Sequence, residues 1–306
     1  LVSSRGLGDV YKRQILDSAM GTELAYRGYD LPDWKESIWS AKALNDGQDL
    51  IRSIHEDNIA AGCNVITTSN YYATPLILNG MGKKYNYLEL TKVAIELAQK
   101  AVDSKNKNVM IAGSFPPINI SFRPDLIPSN NQLIDFYSSI SELYTNNVDL
   151  ILCETISSIQ EAQIASKIAL ENFHRVWLSW TVRGIDFKLL PSKELLSDAV
   201  KNLSKTRIEY QLVNCAHADL TTEAIKILKE HTDNFGAYAN SSIYDPSKDS
   251  LDSYESVDEI HHHHSNEINS CDYLKHVKDW IGLGAKVVGG CCTTRPEHIK
   301  EISENT

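Results

Sequence analysis

Short apolar runs rich in β-branched and aromatic residues alternate with longer segments of helical periodicity through almost the whole of this 306-residue chain. That alternation is the signature of βαβ units and hence of a parallel sheet. Eight runs qualify as strands: 15–20, 64–71, 109–115, 150–156, 176–182, 210–216, 235–241 and 286–292. They read as continuous apolar stretches, as strands covered on both faces do. Segments 49–61, 87–102, 131–146, 158–172, 192–203, 221–230 and 272–283 have helical spacing, and 296–304 makes a last short helix. In the first of these Ile51, Ile54, His55 and Ile59 recur along a helical period and Gly62 supplies the C-cap. Thr221 and Thr222 ahead of Glu223 read as an N-cap, and Pro296 stands in a first turn, where its missing N–H does no harm.

Eight strands, each followed by a helix, predict an α/β fold of the closed (β/α)8 barrel type, one domain spanning 15–306 with no internal repeat or linker. Residues 1–14 show no periodicity leading into the first strand and read as a non-native or disordered extension. Stretches 116–130 and 243–270 also lack a period; each follows a strand, which on a barrel places it over the catalytic end. The second contains four consecutive histidines at 261–264, read as a solvated loop with a metal-binding tract as the alternative.

The net charge of -10 argues against nucleic acid or an anionic membrane as the main partner and leaves small molecules as the expected ones. No apolar run approaches the roughly 20 residues needed to span a bilayer. No basic segment followed by an apolar one opens the chain, so a cytoplasmic location is expected. Six cysteines are too sparse for a disulfide framework, and two of them are adjacent. A reducing compartment and a metal or catalytic role fit them better.

In such a barrel the active site is built from the C-terminal ends of the strands. The sixth candidate strand ends in Asn214-Cys215 and the eighth in Gly289-Gly290-Cys291-Cys292, which brings three thiols to one rim. Three thiolates match a zinc site whose fourth position stays open to substrate. Cys63, Cys153 and Cys271 read instead as small buried hydrophobes. An open zinc among thiolates suits activation of a substrate thiol, whose free pKa of ~8.5 otherwise leaves little nucleophile at neutral pH. Asp17 at the first strand end and Glu154 at the fourth are placed to bind an α-ammonium group, with backbone N–H groups near Gly21 for an α-carboxylate. The alternatives are a helix N-cap for Asp17 and a rim ion pair for Glu154. Thr67 to Tyr72 and Asn240 to Ser242 are candidate walls of a methyl-donor pocket, with Tyr72 and Asn240 as the substrate-binding choices. Tyr71 or Tyr72 there would suit a cationic donor.

These residues resemble the homocysteine S-methyltransferases over nearly everything from Ile15 onward. The motifs are Asp17-Ser18-Ala19-Met20-Gly21-Thr22, Ser37-Ile38-Trp39-Ser40-Ala41, Tyr71-Tyr72-Ala73-Thr74-Pro75, Cys153-Glu154-Thr155, Val213-Asn214-Cys215 and Gly289-Gly290-Cys291-Cys292. The resemblance implies a (β/α)8 barrel, zinc held by Cys215, Cys291 and Cys292, and contacts from Asp17 and Glu154 to the amino-acid end of homocysteine. The wording is similar to the branch that uses S-methylmethionine rather than betaine, with no cobalamin or folate module. Three features depart from the family: Thr293 follows the cysteine pair where glycine is common, Ser18 replaces a common glycine, and the stretch from Gly113 to Pro128 looks like a separate sub-branch.

The expected activity is therefore a zinc-dependent methyl transfer from a sulfonium donor to homocysteine, giving methionine. Two alternatives stand beside it. One is the same chemistry with betaine or S-adenosylmethionine as donor, or with a selenol or another thiol as acceptor. The other is a non-catalytic zinc-storing or redox-sensing barrel.

Overall fold

The computed structural model describes residues 13–32, 38–79, 85–105, 108–182, 186–245 and 266–306. Residues 1–12, Ser37 and the four histidines at 261–264 lie outside the described residues. Eight parallel strands form one sheet in the order β1-β8-β7-β6-β5-β4-β3-β2. They are β1 (Gln14–Ile15), β2 (Val65–Thr67), β3 (Met110–Phe115), β4 (Leu150–Ile156), β5 (Val176–Trp180), β6 (Tyr210–His217), β7 (Phe235–Asn240) and β8 (Val287–Gly290). The barrel closes between β1 and β2 through a parallel bridge of Leu16 to Val65. The Asn64 N–H donates to Ile15 O at 3.0 Å, and the Ile15 N–H donates to Asn64 Oδ1 at 2.8 Å.

Around the strands stand α1 (Met20–Tyr26), α2 (Ala43–Asp46), α3 (Gln48–Ala61), α4 (Pro75–Asn79), α5 (Tyr87–Lys105), α6 (Asn130–Tyr144), α7 (Ile159–Asn172), α8 (Leu196–Leu203), α9 (Ala218–Lys229), α10 (Ser270–Leu283) and α11 (Pro296–Asn305). The (β/α)8 barrel expected from the alternation is the fold observed. Gly62 ends α3 with φ of +105°, a left-handed cap that glycine adopts without steric cost.

Several boundaries move, each for a physical reason. The first strand stops at Ile15, with a bridge at Leu16, because the backbone N–H of Ser18 turns out of the ladder to Asn58 Oδ1 at 2.9 Å. Met20, expected at the end of a strand, opens α1. Helix α9 begins at Ala218, directly after β6, so Thr221 and Thr222 are internal to it. Thr222 donates to Ala218 O at 2.9 Å and accepts from Trp280 Nε1 at 2.7 Å. Helix α8 starts later than residue 192 because an antiparallel bridge of Leu189 to Leu195 takes up the preceding residues.

Leu16, Val65, Leu150, Leu152, Trp177, Leu212 and Val287 form one buried apolar cluster drawn from the strands. A larger cluster joins the strands to the helices. Gly236 is needed in the wall, since a Cβ there would lie 2.2 Å from Val287 O. With the strands packed this way, residues at and beyond their C-terminal ends line one cavity. Among the described residues no helix is long and apolar enough to cross a membrane.

Candidate metal centre and active site

Cys215 sits near the end of β6 at a register break between Asn214 and His217, with φ of +56°. Such a bulge re-aims a side chain at the rim of a barrel. Cys291 and Cys292 follow β8 in a tight turn. The Thr294 hydroxyl donates to Cys291 O at 2.6 Å, and the Ser241 N–H donates to Cys292 O at 3.1 Å. A Cβ at Gly290 would lie 2.2 Å from Thr294 Oγ1, so this turn requires glycine there. The three sulfur atoms lie within 4.8 Å of one another, with Cys215 and Cys292 3.7 Å apart.

Asn214 ties this corner to the neighbouring strands. Its Oδ1 accepts from the Thr155 N–H at 3.0 Å and the Ser179 hydroxyl at 2.7 Å. Its Nδ2 donates to Thr155 Oγ1 at 2.8 Å and approaches Cys291 Sγ at 3.8 Å. Thr155 has φ of +57° at a matching break in β4, so one side chain braces both bulges.

Three clustered thiols cannot all ionise unaided. Hydrogen bonds to Cys291 and Cys292, and then burial, push Cys215 well up. The Cys215 thiol pulls Cys291 down, but the Cys292 bond and burial leave it raised. Cys292, which accepts from the other two, is held well below the ordinary thiol range. The anion is thus favoured at Cys292 and opposed at Cys215 and Cys291, and a cation bound among them would favour it at all three. An all-sulfur donor set of this kind fits zinc.

The cluster opens into a cavity of about 540 Å³. Asp17 and Glu154 line it with the cysteines. The Asp17 carboxylate accepts from the Thr67 N–H at 2.9 Å and the Thr67 hydroxyl at 3.2 Å. Burial outweighs these bonds and pushes its pKa up to about 7. Glu154 accepts a short hydrogen bond from Ser114, and burial, opposed by that bond, pushes it up to about 8. Neither alternative reading of these acids fits: the N-cap of α1 is Ala19, and Glu154 makes no ion pair among the described residues.

Tyr72 lines the cavity beside Tyr71 and Trp39, its ring centroid 5.3 Å from that of Trp39 and 5.7 Å from that of Tyr71. Asn240 lies elsewhere: it is fully buried, outside the cavity wall, and both amide atoms lack a hydrogen-bond partner among the described residues. Cys63 and Cys153 are buried as small hydrophobes, whereas Cys271 is exposed on α10. Residue-by-residue reading passed over Tyr238, Phe122 and Glu267, which also line the cavity. Two of them come from the aperiodic stretches 116–130 and 243–270, so their lack of a period was the available signal. Phe122 packs on Cys215 with φ of +66°.

Comparison with known proteins identifies the family. The sequence matches the family described as homocysteine S-methyltransferase over residues 14–306. It is 30% identical to the homocysteine S-methyltransferase of Escherichia coli K12, over 97% of this chain and 96% of the other. It is 27% identical to the homocysteine S-methyltransferase YbgG of Bacillus subtilis, over 96% and 95%. The crystal structure of the homocysteine methyltransferase MmuM from Escherichia coli in its metallated form superposes with a TM-score of 0.76 at 26% identity, covering 97% of each chain. The oxidised form of the same protein gives 0.78 at 27% identity, covering 99% of each. Matched along nearly its whole length by the family, by curated relatives and by solved barrels, the chain belongs to the homocysteine S-methyltransferase family.

Proposed function

We propose that this protein transfers a methyl group from S-methylmethionine to homocysteine, with zinc held by Cys215, Cys291 and Cys292. The observation that carries the reading is the meeting of three thiols and two buried carboxylates in one cavity. The metallated form of the E. coli relative supports a metal in such a cluster. Bound there, zinc supplies a Lewis acid that keeps a substrate thiol deprotonated at neutral pH.

The chain's own groups do the rest. Asp17 and Glu154 accept hydrogen bonds from the α-ammonium of homocysteine and fix its side chain toward the cysteines. Asn214 holds Cys291 and the β6 bulge in place. Tyr71, Tyr72 and Trp39 give the donor's sulfonium an aromatic wall. The methyl passes from that sulfonium to the acceptor sulfur, and the donor leaves as a neutral thioether. No general acid is required, and with S-methylmethionine both products are methionine. Phe122 and the half-buried rim restrict water at the sulfur cluster.

Methionine formation by purified protein from homocysteine and S-methylmethionine, with zinc counted in the same sample, tests this. About one zinc per chain with turnover is expected, and Cys291→Ala should lose both. Near-full activity in that variant sinks the mechanism. Zinc without turnover directs the search to betaine, S-adenosylmethionine or another acceptor.

A further inference from the structure

Glu161 stands in the first turn of α7, outside the cavity wall, and is buried at 1% exposure. It makes no ion pair among the described residues. Its Oε1 accepts from the Ile118 N–H at 3.3 Å and from the Tyr137 hydroxyl at 3.1 Å, while Oε2 has no partner among the described residues. Burial pushes its pKa up to about 7, against the pull of those two bonds. Two titratable groups sense its charge, Tyr137 on α6 and Cys153 on β4, and burial keeps both protonated. A carboxylate buried without a cation costs stability, a cost that some proteins retain because it fixes one conformation.

The conformation in question is that of the segment after β3. Ile118 is tied on both sides: its N–H goes to Glu161, and its carbonyl accepts from the Thr74 hydroxyl at 2.8 Å. Tyr137 also donates to Pro116 O at 3.0 Å, so the same corner holds the start of the segment. Beyond Ile118, Asn119 Nδ2 donates to Leu126 O at 3.2 Å and draws the following residues into one loop. Two side chains of that loop reach the site. Ser121 shares a hydrogen bond of 2.7 Å with Tyr71, and Phe122 packs on Cys215 beside Cys291 and Cys292. Phe122 holds φ at +66°, a conformation that a bulky residue keeps only where its surroundings impose it. The ties at Ile118 are part of what imposes it.

We propose that Glu161 is a positioning residue for the cysteine cluster: by holding Ile118 from outside the cavity, it keeps Phe122 closed over Cys215 and Ser121 bonded to Tyr71. The carboxylate suits this task because, once ionised, it is a stronger acceptor for both donors than a neutral group would be. The assignment depends on the cysteine cluster and not on the identity of the methyl donor or acceptor.

Alkylation of metal-free protein by iodoacetamide, read at each cysteine by peptide mass spectrometry, tests the assignment. Cys215 is 9% exposed with Phe122 upon it, so its labelling rate should follow the opening of that cover. Glu161→Ala removes hydrogen bonds to a charged group and should speed labelling of Cys215 about tenfold or more. The exposed Cys271 and the buried Cys63 should keep their wild-type rates. Glu161→Gln retains one acceptor oxygen for both donors and should restore most of the protection. Phe122→Ala should reproduce the rise, and joining it to Glu161→Ala should add nothing further, because both act through one cover. Unchanged labelling of Cys215, a rise shared by Cys63, or additive effects of the two substitutions overturns the proposal. Should Glu161→Ala fail to fold, Thr74→Val cuts the opposite tie to Ile118 and is judged by the same three outcomes.

Discussion

Thr293 holds φ at +63°, a left-handed conformation in which a β-branched side chain is strained. Its hydroxyl offsets that strain by donating to Cys292 O at 2.6 Å and accepting from Ser241 at 2.8 Å. Thr293→Ala keeps the strain and loses both bonds, and should cost about 2 kcal/mol in a denaturant titration. Thr293→Gly also loses the bonds but relieves the strain, and should fall about 1 kcal/mol less. Equal stability of the two variants would show that the strain is not stored there. His55 poses a different problem. It is fully buried on α3, neither ring nitrogen has a partner among the described residues, and burial pushes its pKa down to about 4. Because the unfolded chain takes up a proton below about pH 6.5 and the folded one does not until about 4, stability is lost as pH falls through that window. The loss is on the order of 3 kcal/mol. The stability of His55→Phe relative to wild type should rise over the same interval, and a pH-independent difference would place the cost elsewhere.

The elements that matter most to chemistry are the two bulged strand ends. Thr155 and Cys215 leave β4 and β6 at positive φ, and Asn214 spans the gap with three hydrogen bonds of 3.0 Å or less. Asn214→Ala strands the buried Thr155 N–H and Ser179 hydroxyl, which should cost about 2–4 kcal/mol. Freed of its brace, the cluster should also bind zinc about 10–100-fold more weakly in a chelator competition. Wild-type zinc affinity would show that Asn214 serves the barrel alone. Such bulges mark the limit of what period and composition disclose. The strands β2 to β8 and most helices were legible, because buried parallel strands and amphipathic helices impose their periods on the sequence. That the three cysteines belong to one rim was legible too, since strand ends converge in any such barrel. Illegible were the short β1, which ends where Asn58 draws the Ser18 N–H away, and the fate of Asn240. Being at the end of β7 sets that residue's height on the barrel but not whether its side chain reaches the cavity.

At the scale of the whole molecule, the C-terminal end of the barrel keeps two carboxylates, Asp17 and Glu154, where burial favours their protonated forms. Held by Thr67 and Ser114 on a closed sheet, neither acid can swing into solvent without breaking a hydrogen bond to its own wall. With pKa values near 7 and 8, both are largely protonated in the free protein at pH 6 and mostly ionised above pH 8. An α-ammonium ligand pairs with the ionised forms, so binding below pH 7 must first expel protons. The affinity of metal-free protein for methionine should therefore tighten as pH rises from 6 to 8, by about tenfold where the proton leaves Asp17 and about fiftyfold where it leaves Glu154. Glu154→Gln should bind more weakly and show a shallower slope, because one titrating partner is gone. A dication among the cysteines favours both carboxylates as anions, so zinc-loaded protein should show the same rise displaced to lower pH. Calorimetry in two buffers of different ionisation enthalpy counts the protons released. Binding that is flat with pH and releases none would mean that the ammonium is held elsewhere, even with the cysteine cluster intact.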